Sequence, residues 1–379
     1  MQLTDEQVLI QETARAFARD RLAPGAAKRD RTSEFPRALL GEMGELGLMG
    51  MLTPADDDGS EAGVVALALA MEEVAAADGA ISTIMSVHNG VAQLPVVDYG
   101  TAEQKERFLK PMARGEMMGG FALTEPHAGS DAGAIRCRAR RDGNHFVLSG
   151  TKQFITSGKN ADVMLTFAVT DPDAGKKGIS AFLVPTTTEG YRVASVEKKT
   201  GQRCSDTAQV AFDDCRLTPD LLLGEEGEGY KIALSNLEGG RIGIAAQAVG
   251  MARAAYECAR DYAKDRTSMG KPIIEHQAVG FRLADMATRI AAARGLTLEA
   301  ARLREAGQPC LKEASMAKLF ASEMAERVCS DAIQTLGGYG YVEDFPVERI
   351  WRDVRVCQIY EGTSDIQRLV IARAIAGED

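Results

Sequence analysis

Apolar positions recur at helical spacing from the start of the chain. Thr4 and Gln7 make a capping-box pair ahead of Val8, Leu9, Ala14, Phe17 and Ala18, which fall on one helical stripe. Ser33 and Pro36 open a further helix through Leu39, Leu40 and Met43, and residues 64–77 read as a long buried helix rich in Ala, Leu and Val. Residues 81–94 continue as a mixed apolar helix that Pro95 stops. The first third is therefore expected to be all-α.

From Gly119 to Leu223 the period changes. Residues 135–141 and 145–148 flank Asp142-Gly143, a short-range hairpin signal. Residues 163–169, 179–184 and 209–212 are further strand-like runs, separated by Asp/Pro/Gly clusters such as 171–175. Short strands with no long helix between them predict a small antiparallel barrel or sandwich. After the Gly/Glu-rich stretch 224–229 the helical period returns in three long amphipathic segments, 230–264, 275–305 and 311–336. In the second, Leu283, Met286, Ile290, Ala293 and Leu296 keep a seam-like spacing, and shorter helices near 347–354 and 363–374 complete a bundle. The expected fold is α+β: an N-terminal all-α domain over 1–117, a middle β domain over 118–224 and a C-terminal four-helix-bundle domain over 225–379. A chain of 379 residues exceeds one ordinary core, in keeping with several domains.

Composition narrows the class. With 45% hydrophobic residues, 26% charged residues and a formal net charge of -10, the chain reads as a soluble globular protein without the basic surface that nucleic acid or an anionic membrane requires. Its 7 cysteines (137, 204, 215, 258, 310, 329 and 357) form no CxxC pair and are odd in number, which fits free thiols in a reducing compartment. The 4 histidines show no close spacing with cysteine, so no zinc site is expected. Residues 1–6 carry no charged n-region with an apolar h-region, and no apolar run reaches membrane-spanning length; a cytoplasmic location is the expectation.

Candidate chemistry lies in three places. The stretch from Phe121 to Asp131 begins apolar and then breaks into Pro126, Gly129 and short polar residues, composition suited either to a ligand-cradling loop or to an ordinary surface turn. Residues 150–158 follow a hairpin later and bring an aromatic and hydroxyls beside it. Glu361 lies in Gln358-Ile-Tyr-Glu-Gly-Thr-Ser-Asp365, where Ile359 and Tyr360 offer an apolar wall and Thr363-Ser364 can start a helix with N–H groups facing anionic oxygens. Read alone, a Glu between helices is as compatible with a solvated loop or a cap as with a catalytic role.

Together these segments resemble the acyl-CoA dehydrogenases. Thr124-Glu125-Pro126, Ala128-Gly129-Ser130-Asp131, Gly150-Thr151-Lys152 and Phe154-Ile155-Thr156 are similar to that family's flavin-contacting segments, and the resemblance covers nearly the whole chain. Phe154 stands where many members carry Trp, and His127 where a small residue is common. The resemblance implies FAD as cofactor, contacted by Phe121, Leu123, Thr124, Gly129, Ser130, Phe154, Ile155 and Thr156, with Thr363 and Asp365. Residues 266–277 match a segment that in the family reaches a neighbouring subunit's FAD, which adds Arg266, Met269 (commonly Phe), Ile273 and Gln277, with Gln334, Gly337 and Gly338 as the companion segment. Residues 358–365 resemble the catalytic-base segment and imply Glu361 as the α-proton base; some members place the base at a position corresponding to Gly240, where glycine cannot serve. Glu238-Gly-Gly-Arg241 resembles the acyl-CoA contact, joined by Ser130, Tyr360 and Gly362.

The implied activity is α,β-dehydrogenation of an acyl-CoA to a trans-2-enoyl-CoA, with hydride transfer to flavin N5, an electron-transferring flavoprotein as acceptor, a homotetrameric assembly and a place in fatty-acid β-oxidation or amino-acid catabolism. Residues 84–90 and 238–241 resemble short-chain, butyryl-CoA-type members, and 201–207 also resemble medium-chain ones, which favours a short or branched short acyl group. Rival readings are an acyl-CoA oxidase, a sulfinoacyl-CoA desulfinase that does not need Glu361, and a nucleic-acid-binding relative that the acidic charge disfavours.

Overall fold

The computed structural model describes residues 2–377, apart from the side chains of Leu237 and Glu238. Thr4 caps the first helix, α1 (Asp5–Phe17), through the expected reciprocal pair with Gln7. Its inward stripe is Ile10, Ala14 and Phe17, of which the last two are buried, while Val8 and Leu9 stay exposed. Helix α2 (Gly63–Ala77) is enclosed on every side, and even Glu72 and Glu73 are buried. Asp78 then accepts from the N–H groups of Ala80 and Ile81 to cap α3 (Gly79–Val87). Pro95 does not end that helical run. A π turn over His88–Ala92 intervenes, and Pro95 occupies the first turn of a new helix, Leu94–Tyr99, where its missing N–H costs nothing.

The middle region holds eight strands: β1 (Gly119–Ala122), β2 (Arg138–Asp142), β3 (His145–Thr156), β4 (Val163–Val169), β5 (Ile179–Pro185), β6 (Tyr191–Val196), β7 (Thr207–Leu217) and β8 (Leu222–Leu223). They run in the order β6-β7-β3-β2-β4-β5-β8, with β1 also on β4. This is an open sheet, which corrects the expected barrel or sandwich, and β1 and β2 both pair with β4 in parallel. The reason for openness lies in what covers it. Sheet residues such as Phe146, Phe167, Phe182 and Phe212 share one core with Val96, Phe108 and Met112 from the preceding helices and with Ile232 and Ala233 from the following one. Helices bury the face that closure would otherwise have to bury, while exposed β6 is left as an edge.

The last third is helical as expected: α4 (Gly229–Asp265), α5 (Gln277–Glu305), α6 (Leu311–Leu336), α7 (Val347–Val354) and α8 (Ser364–Ala376). Helix α4 is the shared element, with its first turn in the sheet's core and its remainder in a second core with α2, α3, α5 and α6. It lies so close to α2 that a Cβ on Gly250 would stand 2.1 Å from the Glu72 carbonyl oxygen. Beside that contact Arg253 of α4 pairs with Glu73 at 2.6 Å and Arg294 of α5 pairs with Glu72 at 2.7 Å, so the buried carboxylates of α2 are compensated from the C-terminal helices.

Candidate functional site

The loop after β1 is fixed from inside by a buried ion pair. Glu125 accepts from Lys152 Nζ at 2.8 Å and from the N–H groups of Arg136 and Cys137 at 2.7 and 2.9 Å, and Lys152 also donates to the Leu123 carbonyl. Both side chains are inaccessible to solvent. Gln153 N donates to the Thr124 carbonyl, stitching the loop to β3. A β-bulge follows between Lys152 and Ile155, and Phe154 takes the left-handed region with φ 59°, which turns its ring outward to 62% exposure while Ile155 stays buried. The structure thus brings Leu123, Thr124, Phe154, Ile155 and Thr156 together; Phe121 packs inward against Phe167, and Gly129 and Ser130 lie on the exposed rim.

A second group gathers at the C-terminal end of α4. Arg266 and Ile273 face Thr335, Leu336, Gly337 and Gly338 across an open cleft of about 560 Å³ that Tyr262 and Tyr339 also line. A two-stranded hairpin, 267–272, projects Met269 to 91% exposure, and Gln277 and Gln334 are exposed nearby in the chain. Tyr262 and Tyr339 form an aromatic cluster with Phe345 that no sequence motif announced. The residues that line this cleft include none from the Phe154 group.

These surfaces suit the expected dinucleotide. Phe154 presents a flat apolar ring with nothing of its own chain stacked over most of it. Added Cβ atoms on Gly129, Gly337 and Gly338 would meet nothing within 4 Å, so the backbone is open to close approach. Arg266 forms no ion pair among the described residues, and its planar fork matches a pyrophosphate.

The third group surrounds Glu361. Between α7 and α8, Glu361 and Gly362 both adopt positive φ, 53° and 86°, a conformation that is strained for Glu. The turn is held by its carbonyls: Lys318 of α6 donates to Gly362 O at 2.5 Å, and Gln367 of α8 donates to Glu361 O and Gly362 O at 3.1 and 2.9 Å. Glu361 Oε2 is buried with no hydrogen-bond partner among the described residues, facing Gly240 of α4. Burial pushes the carboxyl up to about 7, against the opposing pull of Lys318 and Arg241. Arg241 Nη1 donates to Ser315 at 3.0 Å. The Glu238 side chain lies outside the described residues. Thr363 caps α8 through Ile366 N, while Asp365 points to solvent.

Tyr360 has its hydroxyl in a buried polar hub. It donates to Gln247 Oε1 at 2.5 Å, near Thr83 and Gln202, while Gln247 donates on to Gly79 O, Ser82 and Thr83. This hub joins α3, α4 and the loop before β7 to the turn that carries Glu361. Lys318, Gln367 and Gln247 were missed by sequence reasoning. The available signal was Lys318 among the small residues Ala314, Ser315, Ala321, Ser322 and Ala325 of the α6 inner face.

Comparison with known proteins supplies the family. Models of the acyl-CoA dehydrogenase N-terminal, middle and C-terminal domains match residues 4–116, 120–215 and 227–376. An acyl-CoA dehydrogenase of Bacillus subtilis (strain 168) is 48% identical over 100% of both chains. The mitochondrial short-chain specific acyl-CoA dehydrogenase of Bos taurus is 47% identical over 98% of this chain and 90% of its own. The solved butyryl-CoA dehydrogenase of Megasphaera elsdenii superposes with a TM-score of 0.97 at 39% identity, covering 99% of both chains. The chain belongs to the acyl-CoA dehydrogenase family and is an FAD-dependent oxidoreductase.

Proposed function

We propose that the protein desaturates a short or branched short acyl-CoA at the α,β bond, with Glu361 as the base. One observation carries this reading: Glu361 Oε2 is buried, without a hydrogen-bond partner among the described residues, and aimed at Gly240, which has no side chain to block it. A carboxylate kept dry and without donors is a stronger base than one in water. Its Oε2 takes the α-proton of the thioester, and the carbonyl oxygen that gains negative charge is met by the Glu361 N–H, which has no protein acceptor among the described residues. Bound FAD supplies the oxidant that accepts the β-hydride at N5. Both C–H electron pairs are then accounted for, one left as the new double bond and one carried away with the hydride. Arg241, Tyr360 and Gly362 bound the acyl-CoA side, with Ser130 on the rim.

Thr124, Phe154 and Thr156 belong to the flavin-ring side, and Arg266, Ile273, Gly337 and Gly338 to a dinucleotide end. That no residue of the Phe154 group lines the Arg266 cleft supports a cofactor shared between subunits of a homotetramer, as do the exposed Met269, Phe281 and Tyr341. An electron-transferring flavoprotein is the acceptor in this reading, and the setting is cytoplasmic β-oxidation or amino-acid catabolism; no described helix is long and apolar enough to cross a membrane.

The test is an anaerobic titration of the purified yellow protein with acyl-CoAs of increasing length and branching. Bleaching of the flavin band by butyryl- or short branched acyl-CoA ahead of octanoyl-CoA is the expected result. Equal or stronger bleaching by the longer thioesters overturns the short-chain assignment, and no bleaching by any overturns the activity.

A further inference from the structure

Lys318 is wholly buried in α6, a position where an ammonium is costly unless something requires it. It makes no ion pair among the described residues; its Nζ is spent on the Gly362 carbonyl. Gln367 from α8 holds the same carbonyl and the preceding one. A lysine here therefore clamps a turn already clamped by an amide, and adds a charge that the amide lacks. The charged groups facing Glu361 are Lys318 from α6 and Arg241 from α4, while Cys357, from the segment that precedes it, faces Lys318.

We propose that Lys318 is a positioning residue for the proton-abstraction step: it locks the left-handed Glu361-Gly362 turn through the Gly362 carbonyl and places a positive charge near the carboxylate without hydrogen-bonding it. The inference rests on the reading of Glu361 as the base. A direct Lys–Glu pair would satisfy the carboxylate and blunt its basicity. Contact through the next residue's carbonyl leaves Oε2 free to take a proton. The charge still favours the ionised form that burial opposes, and Lys318 itself is held down to about 8 by burial, with Glu361 pulling the other way.

The test compares the pH dependence of kcat/KM for butyryl-CoA in wild type, Lys318→Met and Lys318→Gln, with flavin content measured on each. Met removes donor and charge; Gln restores a donor to Gly362 O but no charge. In both variants the acidic limb moves upward by about one pH unit, the low end for a lost neighbouring charge. The plateau kcat falls further in Met than in Gln, with KM changed less than kcat. Should Met fail to retain flavin, Gln is read alone for the limb. An acidic limb unmoved in Lys318→Gln, with Glu361→Gln inactive, overturns the role of Lys318 and leaves Glu361 as base. Full activity in Glu361→Gln overturns the base reading itself.

Discussion

The α-carbon of Gly240 faces the carboxylate of Glu361 so closely that a β-carbon there would stand 2.1 Å from Oε2 and 3.0 Å from Cδ. Any side chain at 240 must displace the carboxylate, because the turn behind it is clamped by Lys318 and Gln367. Gly240→Ala should therefore lose about 100-fold in the rate of flavin bleaching by butyryl-CoA, the scale of an ångström-sized misplacement. Flavin content should stay normal, since neither cofactor-side group includes residue 240. Wild-type bleaching rates in this variant would remove Glu361 from the reaction.

Glu361 sets the expected pH profile. Its carboxyl is raised to about 7 by burial, and only the ionised form can accept a proton. The rate of the reductive half-reaction should fall about tenfold per pH unit below that value and level off above it. Stopped-flow bleaching between pH 5 and 9 measures this. A flat profile across pH 6 would mean that the carboxyl is ionised throughout, and that burial does not raise it.

How much of this was legible depended on the range of the interactions. The capping box at Thr4, the hairpin at Asp142-Gly143 and the three long C-terminal helices are set by neighbours in sequence, and the chain's pattern located them. The open sheet was not legible, since what keeps it from closing is a cover of helices from before and after it. Pro95 misled for a local reason: a proline that ends one helix and one that begins the next look alike. At the site, the short run around Glu361 could be recognised, but its support could not. Lys318 and Gln247 lie 43 and more than 100 residues upstream and are joined to the turn only by folding.

The buried Lys152–Glu125 pair holds the loop from Thr124 to Asp131, so breaking it should unsettle cofactor binding without touching the cofactor. Lys152→Met leaves Glu125 with its two backbone donors and the His127 ring 3.7 Å away, but without its buried ammonium, at a cost of roughly 3 kcal/mol. Lower thermal stability and loss of flavin on gel filtration are expected together. A variant that melts like wild type and keeps its flavin would show that the two backbone donors suffice for Glu125.

Arg266 is exposed, forms no ion pair among the described residues, and lines one cleft with Gly337 and Gly338. If Arg266 binds the pyrophosphate as proposed, Arg266→Ala removes charge-assisted hydrogen bonds worth about 1.5–3 kcal/mol, so flavin affinity should weaken by roughly 10- to 100-fold. The flavin-to-protein absorbance ratio after dialysis reports it. Arg266→Lys should recover only part of the loss, because an ammonium cannot bind a pyrophosphate through a planar fork. An undiminished ratio in Arg266→Ala would take this residue out of the cofactor site.

Asp353 gives a stability prediction whose sign is fixed by its burial. It accepts from Gln202 N where the sheet's loop meets α7, and burial beside Asp78 and Asp30 raises it to about 7. Because the folded value exceeds the unfolded one, the folded state holds the proton more tightly. The associated stability is complete below about pH 4 and is lost as pH rises through 7. Asparagine can accept the same hydrogen bond and does not titrate. Relative to wild type, Asp353→Asn should therefore gain stability between pH 5 and 7 at up to about 1.4 kcal/mol per pH unit, and hold a constant offset above pH 8. Denaturant melts at pH 5, 6, 7 and 8 decide it: parallel stability curves for the two proteins would mean that Asp353 is ionised throughout, with Arg349 compensating its burial.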